Sequence, residues 1–415
     1  MQSIIVRPIL ALLLGVSMQI AAEEKIKVER VSETTEKGRK LLRHEHDSLS
    51  SWGYEKPQRD YFYVIPPTKP AAEKVPLRVV LHSAGGSGER EMKGGLTPDM
   101  SHYIQAYCEE TSYGLYLDCD THKPPNWWWG YHAIAKNTEK YKTELSPTEK
   151  RVFAEIEWVM ANFPIDPDRV YLSGVSMGGA GSLGLGMCRG DLFAAINILV
   201  PANPAHGLFR MANGKHPDPP PVFNFSAQND AWARDQEKLI ALCQSKRYFM
   251  AFAWGPHGHT NESRKFNAAV YEHPWTTIRR NEAYPVFTNA TTDNKYPGFN
   301  NMTAPDQSGQ INGYFRWKNI TDTADQFVME LRLVRKDELK NPGDLQIPTK
   351  SEADVTLRRL QKFKAEAGTV YKWQMSVEGE VRQSGEVKLD AEGLLTIPKL
   401  GIETVPGQLK VERKR

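Results

Sequence analysis

The sequence predicts an α/β protein, a doubly wound, mostly parallel sheet followed by a small C-terminal antiparallel β-sandwich. Two features predict the first part. From Tyr61 to about Pro285, short β-branched and aromatic runs alternate with longer helical segments, the pattern of a parallel sheet covered on both faces. Inside that alternation, "VYLSGVSMGGAGSLGLG" (Val170 to Gly186) joins an apolar run to a helical one through closely spaced glycines. The third feature is a change of style after Glu282. A segment rich in Asn, Thr, Pro and Gly gives way to six or so short strand candidates within about 105 residues, the rhythm of a small sandwich.

Each element follows from local pattern. Residues 1–22 have a short leader containing Arg7, an apolar stretch from Pro8 to about Ala22, and small residues before the polar Glu23-Glu24-Lys25. This is the layout of a secretory signal peptide, and the stretch is short for a membrane span. Residues 23–55 are charged, with apolar residues at loosely helical intervals, and predict a solvated N-terminal helical segment. Residues 56–282 form the α/β domain, with strands in "YFYVI", "LRVVLHSA", "GLYLDC", "RVYLSGV", "AAINILV", "PVFNFSA" and "RYFMAFAW". Between them, "SPTEKRVFAEIEWVMANF" reads as a helix that starts at Ser146 as cap with Pro147 in the first turn. Residues 283–415 comprise the linker and the sandwich, whose strands begin with "INGYFRWKNI" and "FVMELRLV".

Composition narrows the function. With 415 residues, two or three domains fit. A hydrophobic fraction of 40% and a charged fraction of 25% are those of an ordinary soluble protein, which excludes a disordered chain and a polytopic membrane protein. Formal net charge is +3 and no long Lys/Arg stripe is interleaved with aromatics, so nucleic acid is excluded as a partner. No stable membrane insertion is expected once the leader is removed, and the mature protein is expected to be secreted or periplasmic. Cys108, Cys119, Cys188 and Cys243 allow three pairings, and each is open between a disulfide and a small buried hydrophobe. No zinc-like Cys/His spacing occurs, the His257/His259 pair lacks a third ligand nearby, and neither metal nor cofactor is expected.

The glycine-rich stretch carries the chemistry. Gly174-Val175-Ser176-Met177-Gly178 is G-x-S-x-G between a strand and a helix, a turn so tight that side chains at its flanks collide with neighbouring elements. It presents Ser176 as a nucleophile at the carboxyl edge of the sheet, with the N–H of Met177 as an oxyanion donor. A serine hydroxyl is a weak nucleophile, so it requires an imidazole and a carboxylate. In such a turn these follow the serine, acid first, in loops after later strands. Asp230 after "PVFNFSA" is the acid, and His259 in "GPHGH" is the favoured base over His257, because it follows a glycine whereas His257 follows a restricting proline. The loop His82-Ser83-Ala84-Gly85-Gly86-Ser87 supplies the second oxyanion donor, Ala84, with Ser83 close behind. Trp127, Trp128, Trp129 and Tyr131 are candidate substrate-binding residues: adjacent indoles in a loop cannot all point inward, so at least one lines the cleft while others pack.

The runs "LHSAGGSG", "DPDRVYLSGVSMGG", "CRGDLFAAINILVPAN", "SAQND" and "GPHGH" resemble the α/β-hydrolase superfamily from roughly Tyr61 to Trp275. Within it the likeness is to secreted esterases such as feruloyl esterases and polyhydroxybutyrate-depolymerase-like proteins. The resemblance implies the α/β-hydrolase fold and a serine carboxylic-ester hydrolase, with Ser176 as nucleophile, Asp230 as acid, a histidine of "GPHGH" as base, and Met177 and Ala84 as oxyanion donors. It departs at Ser226-Ala227 and at Ser83, where relatives often have glycine after histidine. The expected activity is removal of acyl or feruloyl groups from polysaccharide through an acyl-enzyme. A serine peptidase or lactone hydrolase on the same fold, and an inert glycan-binding relative, are the alternatives.

Overall fold

A computed structural model describes residues 25–70, 72–97, 107–119, 126–214, 216, 218–256, 258–259, 267–299 and 307–414. Strands β1 (Val28–Glu36), β2 (Arg39–Asp47), β3 (Arg59–Ile65), β4 (Val75–Leu81), β5 (Tyr113–Leu117), β6 (Ile165–Val175), β7 (Ala195–Leu199), β8 (Val222–Ala227) and β9 (Met250–Gly255) belong to one sheet. After β10 (Tyr284–Thr288), β11 (Gly309–Ile311) completes it in the order β1-β2-β3-β5-β4-β6-β7-β8-β9-β11. Strands β5, β4, β6, β7, β8 and β9 run parallel. The two ends of the sheet are antiparallel. The centre is therefore the mostly parallel sheet that the alternation predicts.

Successive residues of these strands feed different cores, as the period of two requires. On one face, Ile196, Ile198, Val222, Met250 and Phe252 pack with residues of α5 (Met177–Cys188), α6 (Ala205–Asn213) and α7 (Gln236–Lys246). Beside them, Leu77, Val79, Leu115 and Leu172 pack with α4 (Pro147–Asn162). That helix opens as its sequence predicts: Ser146 and Glu149 form a reciprocal capping box with proline in the first turn. The opposite face is covered differently along its length. At β3, β4 and β5, Tyr63, Val80 and Tyr116 meet Met92 of α1 (Gly88–Gly94), whereas at β7, β8 and β9 the cover comes from a cluster shared with the C-terminal sheets. Helices α2 (Tyr131–Lys136), α3 (Thr138–Thr143) and α8 (Ala268–Tyr271) complete the α-helices among the described residues. None of the described helices is long and apolar enough to cross a membrane.

The remaining strands are β12 (Phe315–Asp322), β13 (Gln326–Leu333), β14 (Lys350–Arg358), β15 (Tyr371–Val377), β16 (Glu380–Val387), β17 (Leu395–Glu403) and β18 (Gly407–Arg413). They form two antiparallel sheets, β10-β14-β17 and β12-β13-β18-β15-β16. Both contribute to one hydrophobic cluster, through Val355, Ile397 and Ile402 from the first and Phe327, Met329 and Leu409 from the second.

Two expectations are corrected. The segment 23–55, where described, is not an α-helical one: β1 and β2 form a hairpin on the edge of the main sheet. Lys37 and Gly38 turn it with φ of 49° and 75°, the left-handed pair that a two-residue hairpin loop needs. The inward residues include His44, stacked on Phe62 at 5.2 Å, and His46, whose Nε2 lies 3.0 Å from Glu155 Oε1. Polar side chains on the buried face disguise the alternation of a strand. The division at residue 282/283 also fails as a clean boundary. The run "INGYFRWKNI" is broken after Ile311: β11 pairs with β9 in the main sheet, Asn312 turns with φ 58°, and β12 starts the second sheet. The amide of Asn312 then donates to the carbonyls of Met250 and Phe287, both at 3.1 Å. The two parts of the chain are thus interleaved.

The candidate leader, residues 1–22, lies outside the described residues. All four cysteines are thiols, with no disulfide between them. Cys108, Cys119 and Cys243 are buried, so the small-hydrophobe alternative holds for them.

Candidate active site

The turn after β6 is as tight as its glycines imply. A methyl group on Gly178 would lie 2.0 Å from the carbonyl oxygen of Leu81, and one on Gly174 would lie 2.4 Å from the backbone of Gly178. No side chain fits at either place. Between them Ser176 takes φ 57° and ψ −117°, a conformation that costs a non-glycine residue about 1–3 kcal/mol and that persists only where its surroundings enforce it. Those surroundings include two backbone bonds to the β7 end: Ser176 N–H to the Leu199 carbonyl, and Ala202 N–H to the Ser176 carbonyl, each 2.9 Å. The result is a half-buried hydroxyl at the carboxyl edge of the sheet, directly before α5.

Asp230 follows β8 and His259 follows β9, so both come to the same edge. His259 Nε2 lies 2.7 Å from Ser176 Oγ, and His259 Nδ1 lies 2.7 Å from Asp230 Oδ2. An ionised carboxylate only accepts hydrogen bonds. Nδ1 is therefore the protonated nitrogen, and Nε2 accepts from the serine hydroxyl. Asp230 is 1% exposed, and its second oxygen, Oδ1, accepts from the N–H groups of Trp232 at 2.9 Å and Ala233 at 3.3 Å. Three donors thus surround the buried carboxylate and satisfy it. A further bond holds the base loop, since Gly258 N–H donates to Asn229 Oδ1 at 2.8 Å. The alternative base, His257, lies outside the described residues.

The loop expected to carry the second oxyanion donor leaves β4 next to the serine turn. Ala84 is exposed in it. Met177 is the first residue of α5, where the main-chain N–H has no acceptor within the helix. Behind the loop His82 is fully buried. Its Nδ1–H donates to the Ser83 carbonyl at 2.8 Å, and its Nε2 accepts from Cys119 N–H at 3.0 Å. Glu91 is buried behind the same loop, where desolvation pushes its carboxyl up to about 7, against the opposing charge of Arg90 and a bond from the Ser83 backbone.

The tryptophan loop divides. Trp128 is fully buried and is corrected from a substrate contact to a structural one: its Nε1–H donates to the His82 carbonyl at 3.0 Å. Its Cβ occupies the space that Gly181 leaves open on α5. Trp129 is also buried and stacks on His206, with ring centroids 5.3 Å apart. Trp127 and the exposed Tyr131 pack against each other at 4.6 Å and keep surface in solvent. An aromatic residue that the sequence reading passes over is nearer the imidazole. Trp232 is 69% exposed, with its ring centroid 6.5 Å from that of His259. Its signal is an aromatic two positions after the acid, in a loop read only for Asp230.

Residues 118–278 match the family model described as Putative esterase. That span contains Ser176, Asp230 and His259. Comparison with curated proteins gives no match. Among solved structures, the chain is similar to an S-formylglutathione hydrolase from Agrobacterium tumefaciens, at 13% identity and TM-score 0.40 over 57% of this chain and 93% of that one. It is similar to an S-formylglutathione hydrolase from Staphylococcus aureus at 16% identity and TM-score 0.37, over 55% and 93% of the two chains. An acetyl xylan esterase from Aspergillus awamori is similar at 13% identity and TM-score 0.35, over 48% and 89%.

Proposed function

We infer that this serine carboxylic-ester hydrolase works through Ser176, His259 and Asp230 and forms an acyl-enzyme. The observation that carries the reading is the pair of 2.7 Å contacts made by the two nitrogens of one imidazole. Ser176 Oγ attacks the ester carbonyl carbon as its proton passes to His259 Nε2, and the carbonyl oxygen takes the negative charge. The N–H groups of Met177 and Ala84 stabilise that charge. Collapse breaks the bond to the leaving oxygen, which departs as an alcohol with the proton from Nε2. Water then attacks the acyl-enzyme with His259 again as base, releasing the acid and restoring Ser176. Asp230 retains its charge throughout, orienting the ring and compensating the imidazolium.

The finer reading is of a secreted enzyme that removes acyl or feruloyl groups from polysaccharide. Its support is the leader-like N-terminus, the resemblance to secreted esterases, and the exposed aromatic surface of Trp127 and Tyr131. Two C-terminal sheets sharing one cluster support the sandwich. The test is hydrolysis of p-nitrophenyl acetate and of feruloylated and acetylated oligosaccharides by wild type and Ser176→Ala. Loss of about 10⁴-fold or more in turnover is expected for the variant. Wild-type turnover in Ser176→Ala contradicts the proposed nucleophile, and activity on the small ester without release from any oligosaccharide contradicts the substrate class.

A further inference from the structure

We propose that Trp232 is the specificity platform for the leaving alcohol, stacking on a flat ring carried close to the ester oxygen. The proposal rests on the reading of Ser176 and His259 as nucleophile and base. Large apolar side chains exposed singly on a surface need no explanation. Trp232 is different because two hydrogen bonds hold its backbone beside Asp230. Its N–H donates to Asp230 Oδ1, and its carbonyl accepts from Asn203 N–H at 2.8 Å. The neighbouring Ala202 N–H is in turn bound to the Ser176 carbonyl. Its backbone is therefore held to Asp230 directly and to Ser176 through the loop after β7. The indole stays 69% exposed, at 6.5 Å from the imidazole and tilted by 50° to it.

The side of the reaction follows from proton transfer. The leaving oxygen receives its proton from His259 Nε2, so it must approach to hydrogen-bonding distance of that atom, about 3 Å. Substituents on that oxygen extend from beside the imidazole, and the exposed indole of Trp232, its centroid 6.5 Å from the imidazole centroid, is the aromatic surface proposed to receive them. An aromatic ring gains from stacking there, and a sugar ring gains by laying its C–H face on the indole. The guanidinium of Arg234, two residues further on, lies 4.7 Å from the ring centroid of Phe299. Trp127 and Tyr131 belong to a different loop, against α5, and are not part of this platform.

The experiment compares leaving groups at constant acyl group. Steady-state kcat/KM is measured for ethyl, benzyl and methyl-glucoside acetates with wild type, Trp232→Ala and Trp232→Phe, with circular dichroism to check folding. Trp232→Ala is expected to lower the benzyl-to-ethyl or the glucoside-to-ethyl ratio about tenfold, and Trp232→Phe to restore most of it. Which ratio falls identifies an aromatic or a sugar alcohol. A second series, with ethanol as the alcohol and acyl chains of two to eight carbons, is expected to show the same Trp232→Ala effect at every length. The proposal is overturned if both ring-to-ethyl ratios stay unchanged, or if the effect follows the acyl chain. Failure of the underlying site is recognised separately, by Ser176→Ala retaining activity on ethyl acetate.

Discussion

Asn229 Oδ1 accepts the N–H of Gly258 at 2.8 Å, so the residue beside the acid holds the residue beside the base. The two loops come from different strands, and this contact joins them independently of the His259–Asp230 bond. It fixes the backbone at the base of the His259 ring, where Gly258 adopts φ 56°. Removing the amide lets the ring drift from Ser176. Asn229→Ala is expected to lower kcat about 10- to 100-fold with a smaller change in KM, because small misplacements of a reacting group are costly. Asn229→Asp retains an acceptor oxygen and is expected to recover part of the loss. Unchanged kcat in Asn229→Ala contradicts the role.

Trp128 supports the loop that follows β4. Phenylalanine at that position keeps the bulk against Gly181 but removes the donor to the buried His82 carbonyl. Leaving a buried acceptor unsatisfied costs about 1–3 kcal/mol. Trp128→Phe is expected to lower the unfolding free energy by that amount, as a fall in the denaturation midpoint with unchanged slope, and to reduce turnover through the oxyanion loop. An unaltered midpoint and turnover contradict the assignment of Trp128 as a support for that loop.

Glu91 sets a pH dependence. Burial raises its carboxyl from 4.5 to about 7, so the folded state holds the proton more tightly than the unfolded chain. For this sign, the stability contribution is fully present below about 4.5 and is lost as pH rises through about 7. Its size is roughly 3 kcal/mol, since each tenfold gain in proton affinity on folding is worth about 1.4 kcal/mol. Glu91→Gln removes the titration. Urea unfolding from pH 4 to 8.5 is expected to show wild type falling behind the variant across that window and running parallel above it. A constant difference across the whole range contradicts the buried carboxyl.

The C-terminal sheets cover a face of the main sheet that otherwise exposes Phe223, Phe225, Ala251 and Ala253. Three of the contacts between these sheets and the α/β part fall at the amino ends of β8 and β9. Tyr284 donates to the Pro219 carbonyl at 2.6 Å, and Arg247 meets Glu392 at 2.9 Å and Thr396 at 3.1 Å. Ser176, Asp230 and His259 stand at the carboxyl ends. Truncation after Glu282 also deletes β11 from the sheet edge. The truncated chain is expected to lose cooperative thermal unfolding and to be cleaved rapidly in limited proteolysis. A soluble truncated protein with the parent melting temperature contradicts this covering role.

How much of this was legible in the sequence depends on the range of the forces involved. That Ser176, Asp230 and His259 meet is readable because each follows a strand of strong local pattern, and parallel strands deliver their following loops to one edge. The Ser146 cap is readable because its bonds lie within three residues. The N-terminal hairpin is obscured because His44 and His46 occupy inward positions, satisfied by partners far along the chain, among them Phe62 and Glu155. Strand β11 has three residues, too few for periodicity, and exists because the edge of β9 offers it partners. Trp128 and Trp127 are neighbours of identical composition. Only the gap at Gly181 and the carbonyl of His82 decide which indole goes inside.

The most direct test of the central claim is covalent capture of the nucleophile. The folded protein is treated with a fluorophosphonate, and the adduct is located by peptide mass spectrometry. One adduct is expected, on the hydroxyl of Ser176, absent in Ser176→Ala and formed far more slowly in His259→Ala. An adduct on any other residue of active protein, or esterase turnover that survives complete phosphonylation of Ser176, contradicts the account.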